Sequence, residues 1–278
     1  MRSRNLPLVV GALLLVAVAG ATLVETVSER DAETRVDVAQ RLQPPSRAHP
    51  WGTDDLGRDV LVRVLAGGRI ALEVGTVAVG LGATAGVPLG LVAARIRGWP
   101  SGVLAYTMDA LMAFPAILLA LAMIAALGPG HVKAMVAIGL VLVPAFWRLA
   151  RAQALVVWNR EFVEAARALG AAEGRLLVRH VLPHVIPVLL VQATTAFSGA
   201  ILSEASLSFL GLGSQPPTPS WGRMLQEATA ALGVAPWMAL FPGLALGVTV
   251  LGVNLLGDGV RDALDPQMRR VLPPGSIV

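Results

Sequence analysis

Long apolar runs alternate along the chain with shorter charged or proline-rich segments. A helix rising 1.5 Å per residue needs about 20 mostly apolar residues to cross roughly 30 Å of hydrocarbon. Leu6 to Val24 is the first such run. Ile70 to Ala94, Val103 to Leu127, Val132 to Trp147, Pro183 to Glu204 and Pro236 to Leu256 follow. The fourth is short, and Lys133 lengthens it by carrying its ammonium back to the interface. Arg2 and Arg4 before the first run, with small residues after it, also fit a cleaved signal peptide. The five later runs make a retained helix the simpler reading. The pattern predicts an all-α integral membrane protein with six transmembrane helices.

Composition agrees with this. The 278 residues are 55% hydrophobic and only 14% charged, against about 25% charged in a soluble domain. Mean hydropathy is +0.69. There is no cysteine, which excludes disulfides and thiolate metal sites. The formal charge of +4 matters less than its distribution. With the N-terminus inside, thirteen arginines fall on inner segments: Arg2, Arg4, Arg95, Arg97, Arg148, Arg151, Arg160, Arg167, Arg175, Arg179, Arg261, Arg269 and Arg270. Six acids accompany them there, whereas nine basic and nine acidic residues balance outside. The positive-inside bias places both termini in the cytoplasm.

Gly82, Gly86 and Gly90 on the second span, and Gly243 and Gly247 on the sixth, repeat every four residues. Such stripes let helix backbones approach where lipid supplies no hydrophobic drive for association. Gly80-Leu81-Gly82 follows no strand, so it is not a nucleotide fingerprint.

Three polar segments carry information. On the outer one from Glu25 to Arg69, Thr53 and Asp54 are placed to cap a helix running through Val60 to Arg69. The inner one from Arg148 to Pro183 predicts a helix over Glu161 to Ala168, a stop at Gly170 and a second helix over Ala171 to Val181. Pro183 then opens the fifth span. The outer one from Ala205 to Ala235 is proline-dense, predicting a stiff non-helical cover, and Trp221 and Trp237 suit the interfacial aromatic belt. The division expected is residues 1–69 as first helix and outer segment, 70–266 as a core of five transmembrane helices including the loop 161–183, and 267–278 as a cytoplasmic tail.

Ionisable residues inside spans are costly and call for an explanation. Glu73 and Glu204 lie near the outer ends of theirs, and Asp109 near the inner end, where Arg148 is the default partner. His180 and His184 sit four apart with Pro183 between them and no third ligand near, which argues against a metal pair. No nucleophile-elbow context and no phosphate-binding loop appears, so no catalytic or metal residue is assigned and ATP hydrolysis is not expected in this chain. An intramembrane enzyme or a self-sufficient channel or secondary transporter would need deep polar groups, and the span centres are almost all apolar.

Glu164-Ala165-Ala166, Gly170 and then Leu182-Pro183 resemble the EAA loop in the permease subunits of binding-protein-dependent ABC importers. Arg179-His180-Val181-Leu182-Pro183 is similar to the peptide-importer branch, where histidine replaces the usual aliphatic residue. Gly52 to Asp59 resembles the segment after the first helix of the "C-type" dipeptide/oligopeptide permeases. Glu204 to Gly213, Pro217 to Gly222, Phe241-Pro242-Gly243, Asn254 to Asp258 and Arg261 to Pro266 resemble the same branch. The resemblance covers about His49 to Pro266.

It implies a type I ABC importer permease in the bacterial inner membrane, paired with a second homologous permease subunit. Two ATPase subunits would lie beneath, carrying ATP and magnesium, and an extracytoplasmic substrate-binding protein above. Nucleic acid is not an expected partner, and the chain itself needs no cofactor. Glu164, Ala165, Ala166, Gly170, Leu182 and Pro183 would couple to the ATPase. Glu204, Ser208 and Phe209 are candidates for the outer mouth of the pathway. Dipeptides and oligopeptides lead as cargo, with nickel, glutathione-like peptides and some oligosaccharides as alternatives.

Overall fold

The computed structural model describes residues 6–28, 36–96 and 98–264. Arg2, Arg4, Glu29, Arg30, Asp31, Glu33, Arg35, Arg97, Asp265, Pro266, Arg269, Arg270 and the expected tail 267–278 lie outside the described residues. Within those described, the regular elements are helices, and Thr53 and Asp59 form an isolated antiparallel bridge.

The first run forms α1 (Leu6–Ser28) and the second α2 (Val60–Ala93). At 34 residues α2 is about 51 Å long, so it overshoots a bilayer by several turns. A domain boundary after residue 69 therefore cuts a continuous helix and is not structural. Asp59, rather than Thr53 or Asp54, caps α2, its Oδ1 accepting from the Leu61 and Val62 N–H groups.

The third run is broken. α3 (Trp99–Ala113) and α4 (Ala116–Leu127) meet at 94°. Pro115 has no N–H to give and excludes the α-region for Phe114, which is extended at φ −82° and ψ 137°. Among the described residues, five helices are long and apolar enough to cross a membrane singly, and α3–α4 makes a sixth if the bent pair counts as one span.

α5 (His131–Trp158) continues beyond the expected Trp147, with Ala150, Ala154, Val157 and Trp158 buried on one face. α6 (Glu161–Ala168) and α7 (Glu173–Leu176) follow. A π-helical turn, Leu177–Val181, runs straight into α8 (Leu182–Phe209). Leu182 N–H reaches back to Leu177 O, and the wider turn accommodates the missing N–H of Pro183. The cover after α8 is only partly irregular, because α8 extends to Phe209 and α9 (Trp221–Ala228) is helical, capped by Ser220. α10 (Trp237–Leu264) is the last helix among the described residues.

α2 and α5 pack most closely. A Cβ on Gly82 would fall 2.7 Å from Leu142 Cβ, one on Gly86 2.5 Å from Val143 O, and one on Gly90 would collide with Trp147 O. The first glycine stripe is thus a backbone-to-backbone seam. The second expectation is corrected: Gly247 has no neighbour within 4 Å and Gly243 meets only Leu225 at 3.8 Å. On α10 the close contacts come from Gly252 and Gly259 against α1, and Gly257 against Thr194 of α8. Gly11 completes the α1 seam, its Cβ position 2.5 Å from Leu256 N. Repeat spacing finds a small-residue face, but only packing decides whether another helix fills it.

Gly86→Leu should force α2 and α5 apart, destabilising the protein by about 1–3 kcal/mol or more. Gly247→Leu should change stability by less than about 0.5 kcal/mol. Thermal unfolding of the detergent-solubilised protein checks both.

Candidate functional site

At one end of the bundle, α6 and α7 form an elbow. Glu161 and Glu164 in the first turn of α6 suit the positive end of its dipole. Val163 is buried and Ala166 half-buried, packing on a cluster of Leu91, Ala154, Val157, Trp158, Leu176, Val181 and Val185. Glu164 and Ala165 face outward, and Leu169 at the helix end is 89% exposed. The Glu164 carboxylate has no ion-pair partner within 4 Å among the described residues.

The elbow closes in a Schellman turn, Gly170 N–H donating to Arg167 O at 2.9 Å and Ala171 N–H to Ala166 O at 3.1 Å. Gly170 has φ +84° and open space where a Cβ would stand, so glycine is needed for its backbone angle and not for room. Leu182 is half-buried against the same cluster and Pro183 is exposed. The six sequence-derived coupling residues are therefore brought together around one elbow. Glu164, Ala165, Gly170 and Pro183 lie on its surface, while Ala166 and Leu182 fasten it. Phe162 stacks on His184 at 5.2 Å, and His184 Nδ1 lies 2.7 Å from His180 O.

At the opposite end, residues 36–59 form a strap over the helices, and a buried ion cluster pins it. Asp54 is 1% exposed. Its Oδ1 accepts from the Leu56 and Arg58 N–H groups at 2.9 Å each. Its Oδ2 pairs with Arg58 Nε at 2.7 Å and with Arg63 Nη1 of α2. Glu227 of α9 completes the cluster, 3.0 Å from Arg63 and 3.4 Å from Arg58. The sequence reading missed this pairing. Asp54, Arg58 and Arg63 are spaced for local contact, but nothing local announces Glu227, 169 residues from Arg58. Asp54, Asp55 and Glu227 bring carboxylate oxygens within 4.8 Å of one another, yet the two arginines already neutralise Asp54 and Glu227.

Two tryptophans expected at the lipid interface are instead pins of this end. Trp221 is buried and donates from Nε1 to Val64 O at 2.8 Å, and Trp237 Nε1 donates to Thr53 O at 3.0 Å. The belt reading failed because both indole N–H groups found backbone carbonyls of the strap and α2.

Glu204 is 2% exposed. Ser208 Oγ donates to its Oε1 at 2.5 Å and Ser214 Oγ at 3.2 Å, while Ser214 N–H donates to Ser208 Oγ at 2.8 Å. The carboxylate gathers the turn after α8 back onto the helix. Of the three residues expected at the pathway mouth, Glu204 and Ser208 are thus enclosed within the chain's own fold, because the Ser208 hydroxyl one turn along α8 and the Ser214 hydroxyl of the following turn satisfy the carboxylate. Phe209 is exposed. Asp109 is exposed on α3, and no ion pair to Arg148 forms within 4 Å.

Asp54→Asn should destabilise the protein by about 3–5 kcal/mol, because it removes the buried carboxylate that both guanidiniums share and leaves them Glu227 alone at their centre. Asp55→Asn should change it by less than about 0.5 kcal/mol, its carboxylate being partly exposed. Unfolding temperature and the monodisperse yield in detergent read the difference.

Comparison with known proteins agrees with this arrangement. Residues 86–270 match the family described as binding-protein-dependent transport system inner membrane component. The dipeptide transport system permease protein DppC of Alkalihalophilus pseudofirmus is 45% identical over 231 residues, 83% of this chain and 76% of that protein. The glutathione transport system permease protein GsiD of an Escherichia coli strain is 42% identical over 268 residues, 96% of this chain and 88% of that protein. In fold, the chain resembles one from the inward-facing MetNI methionine ABC transporter in its CY5 native crystal form. The TM-score is 0.62 at 20% identity, covering 73% of this chain and 96% of that one. The architecture is that of a type I ABC importer permease. The chain belongs to the binding-protein-dependent transport system inner membrane components, the permease subunits of ABC importers.

Proposed function

We propose that this chain forms half of the translocation pathway of an ATP-driven importer of dipeptides or oligopeptides, and that the α6–α7 elbow is where ATPase subunits push on it. One observation carries the coupling role. Glu164, Ala165 and Leu169 present an unpaired carboxylate beside a small residue and a bare apolar side chain, on a surface fixed by a Schellman turn. A helix that buries one face and leaves such a group on the other has the chemistry of a docking element. Glu164 would meet a polar or basic group of the partner.

A second homologous permease subunit would supply the other half of the pathway. ATP and magnesium would be held by two ATPase subunits, and an extracytoplasmic binding protein would deliver cargo. The positive-inside distribution favours both termini and the elbow in the cytoplasm of a bacterium, with the Asp54 strap outside. Peptide cargo is supported by the similarity to relatives named for dipeptide and glutathione transport, glutathione being itself a short peptide.

In the reconstituted complex, Glu164→Ala and Gly170→Leu should each lower substrate-stimulated ATPase activity about tenfold or more, with basal hydrolysis retained by the ATPase subunits. Parental stimulation in both variants would remove the coupling assignment. Uptake of labelled dipeptides, glutathione and nickel by vesicles holding the complex and its binding protein tests the cargo, and transport of nickel alone would overturn the peptide reading.

A further inference from the structure

Behind the elbow, four side chains from different elements meet. Glu173 at the start of α7 accepts from Arg95 Nε at 2.9 Å through Oε2 and from Arg167 Nε at 2.9 Å through Oε1. Arg95 follows the end of α2, and Arg167 lies in the last turn of α6. Both guanidiniums lie over the ring of Trp158 at the end of α5, at 6.0 Å and 5.6 Å from its centroid. These distances fall at the reach of a cation–π contact.

A solvent-accessible ion pair by itself contributes little. The geometry here is different in kind. Two like charges are gathered over one indole, and a single carboxylate, one oxygen to each, offsets their repulsion. Without Glu173 the arginines would repel each other and leave the ring.

Position gives this cluster its consequence. α6 is held from within mainly by Val163 and Ala166, and the Schellman turn at Gly170 joins it to α7. A push on Glu164 or Leu169 would pass through that turn to α7, and would move the rest of the chain only if α7 were tied to something stiff. Arg95 and Trp158 are the ends of α2 and α5, the two helices joined by the glycine seam.

We propose that Glu173 is a positioning residue for coupling. By holding Arg95 and Arg167 over Trp158, it makes the α6–α7 elbow move as one body with the ends of α2 and α5. The proposal rests on the elbow being the ATPase dock, as argued above.

The full complex, with ATPase subunits and binding protein in lipid vesicles, tests it through two readouts: ATPase-subunit occupancy and solute taken up per ATP hydrolysed. Glu173→Gln should leave occupancy unchanged and lower uptake per ATP by about three- to tenfold, within the range of coupling effects at sites without ligand contact. Glu173→Asp, which keeps the charge, should recover most of the ratio. Arg95→Gln/Glu173→Gln should be no worse than Glu173→Gln alone, since Glu173→Gln already removes the Arg95 contact. A parental ratio in Glu173→Gln, or losses that multiply in the double variant, would overturn the proposal. Lost occupancy in Glu173→Gln would overturn it too, by making the residue part of assembly. If Glu164→Ala uncouples while Glu173→Gln does not, only the latch fails. If neither uncouples, the dock and the latch fail together.

Discussion

Inside a bilayer, lipid chains solvate an apolar helix as well as another helix does, so association has to come from close contact between backbones and from polar bonds. The seam of Gly82, Gly86 and Gly90 on α2 meets that constraint, bringing carbonyls of Val143 and Trp147 on α5 to where side chains would otherwise stand. Everything at the two ends of the bundle hangs on this pair. Arg63 of α2 enters the buried ion cluster at one end, and Arg95, just past α2, joins the Trp158 cluster at the other. A stiff α2–α5 pair therefore links the strap to the elbow across the full thickness of the membrane.

The two ends are held by polar chemistry of different strength. The Asp54 cluster is enclosed, with two arginines and two carboxylates compensating one another, and breaking it strands charge in a low-dielectric interior. The Trp158 cluster is open to solvent, and its ion pairs are individually weak. The strap is therefore fastened more firmly than the elbow. The bent α3–α4 pair is thinly buried. α3 buries only Met108, and α4 buries only Ala120 and Ile124.

Much of the site was legible because its determinants are local. Gly170 ends a helix through its own backbone angle, and Glu164 lies outward because Val163 and Ala166 fix which face of α6 turns in. Where a residue's role depended on a distant partner, local reading chose wrongly. Gly243 and Gly247 have the spacing of a packing stripe, but no backbone closes on them, Gly243 meeting only the Leu225 side chain of α9. Trp221 and Trp237 have the chemistry of an interfacial belt, yet their N–H groups reach carbonyls of Val64 and Thr53. Asp54 has the appearance of a helix cap, but Asp59 does the capping and Asp54 closes the ion cluster.

Hydropathy, charge asymmetry and the Glu164 to Pro183 motif belong to the sequence by itself. They determined that the chain is helical, that it crosses a membrane and which family it resembles. Free energies of transfer and helix-stop geometry act over one turn or one span, so they can be read in order along the chain. Only the tertiary structure decided that the third run bends at Pro115, that Glu204 is shared among serines rather than left at an open mouth, and that Glu173 joins Arg95 to Arg167. Each of those depends on where a second group lies in space, and neither periodicity nor composition records that distance.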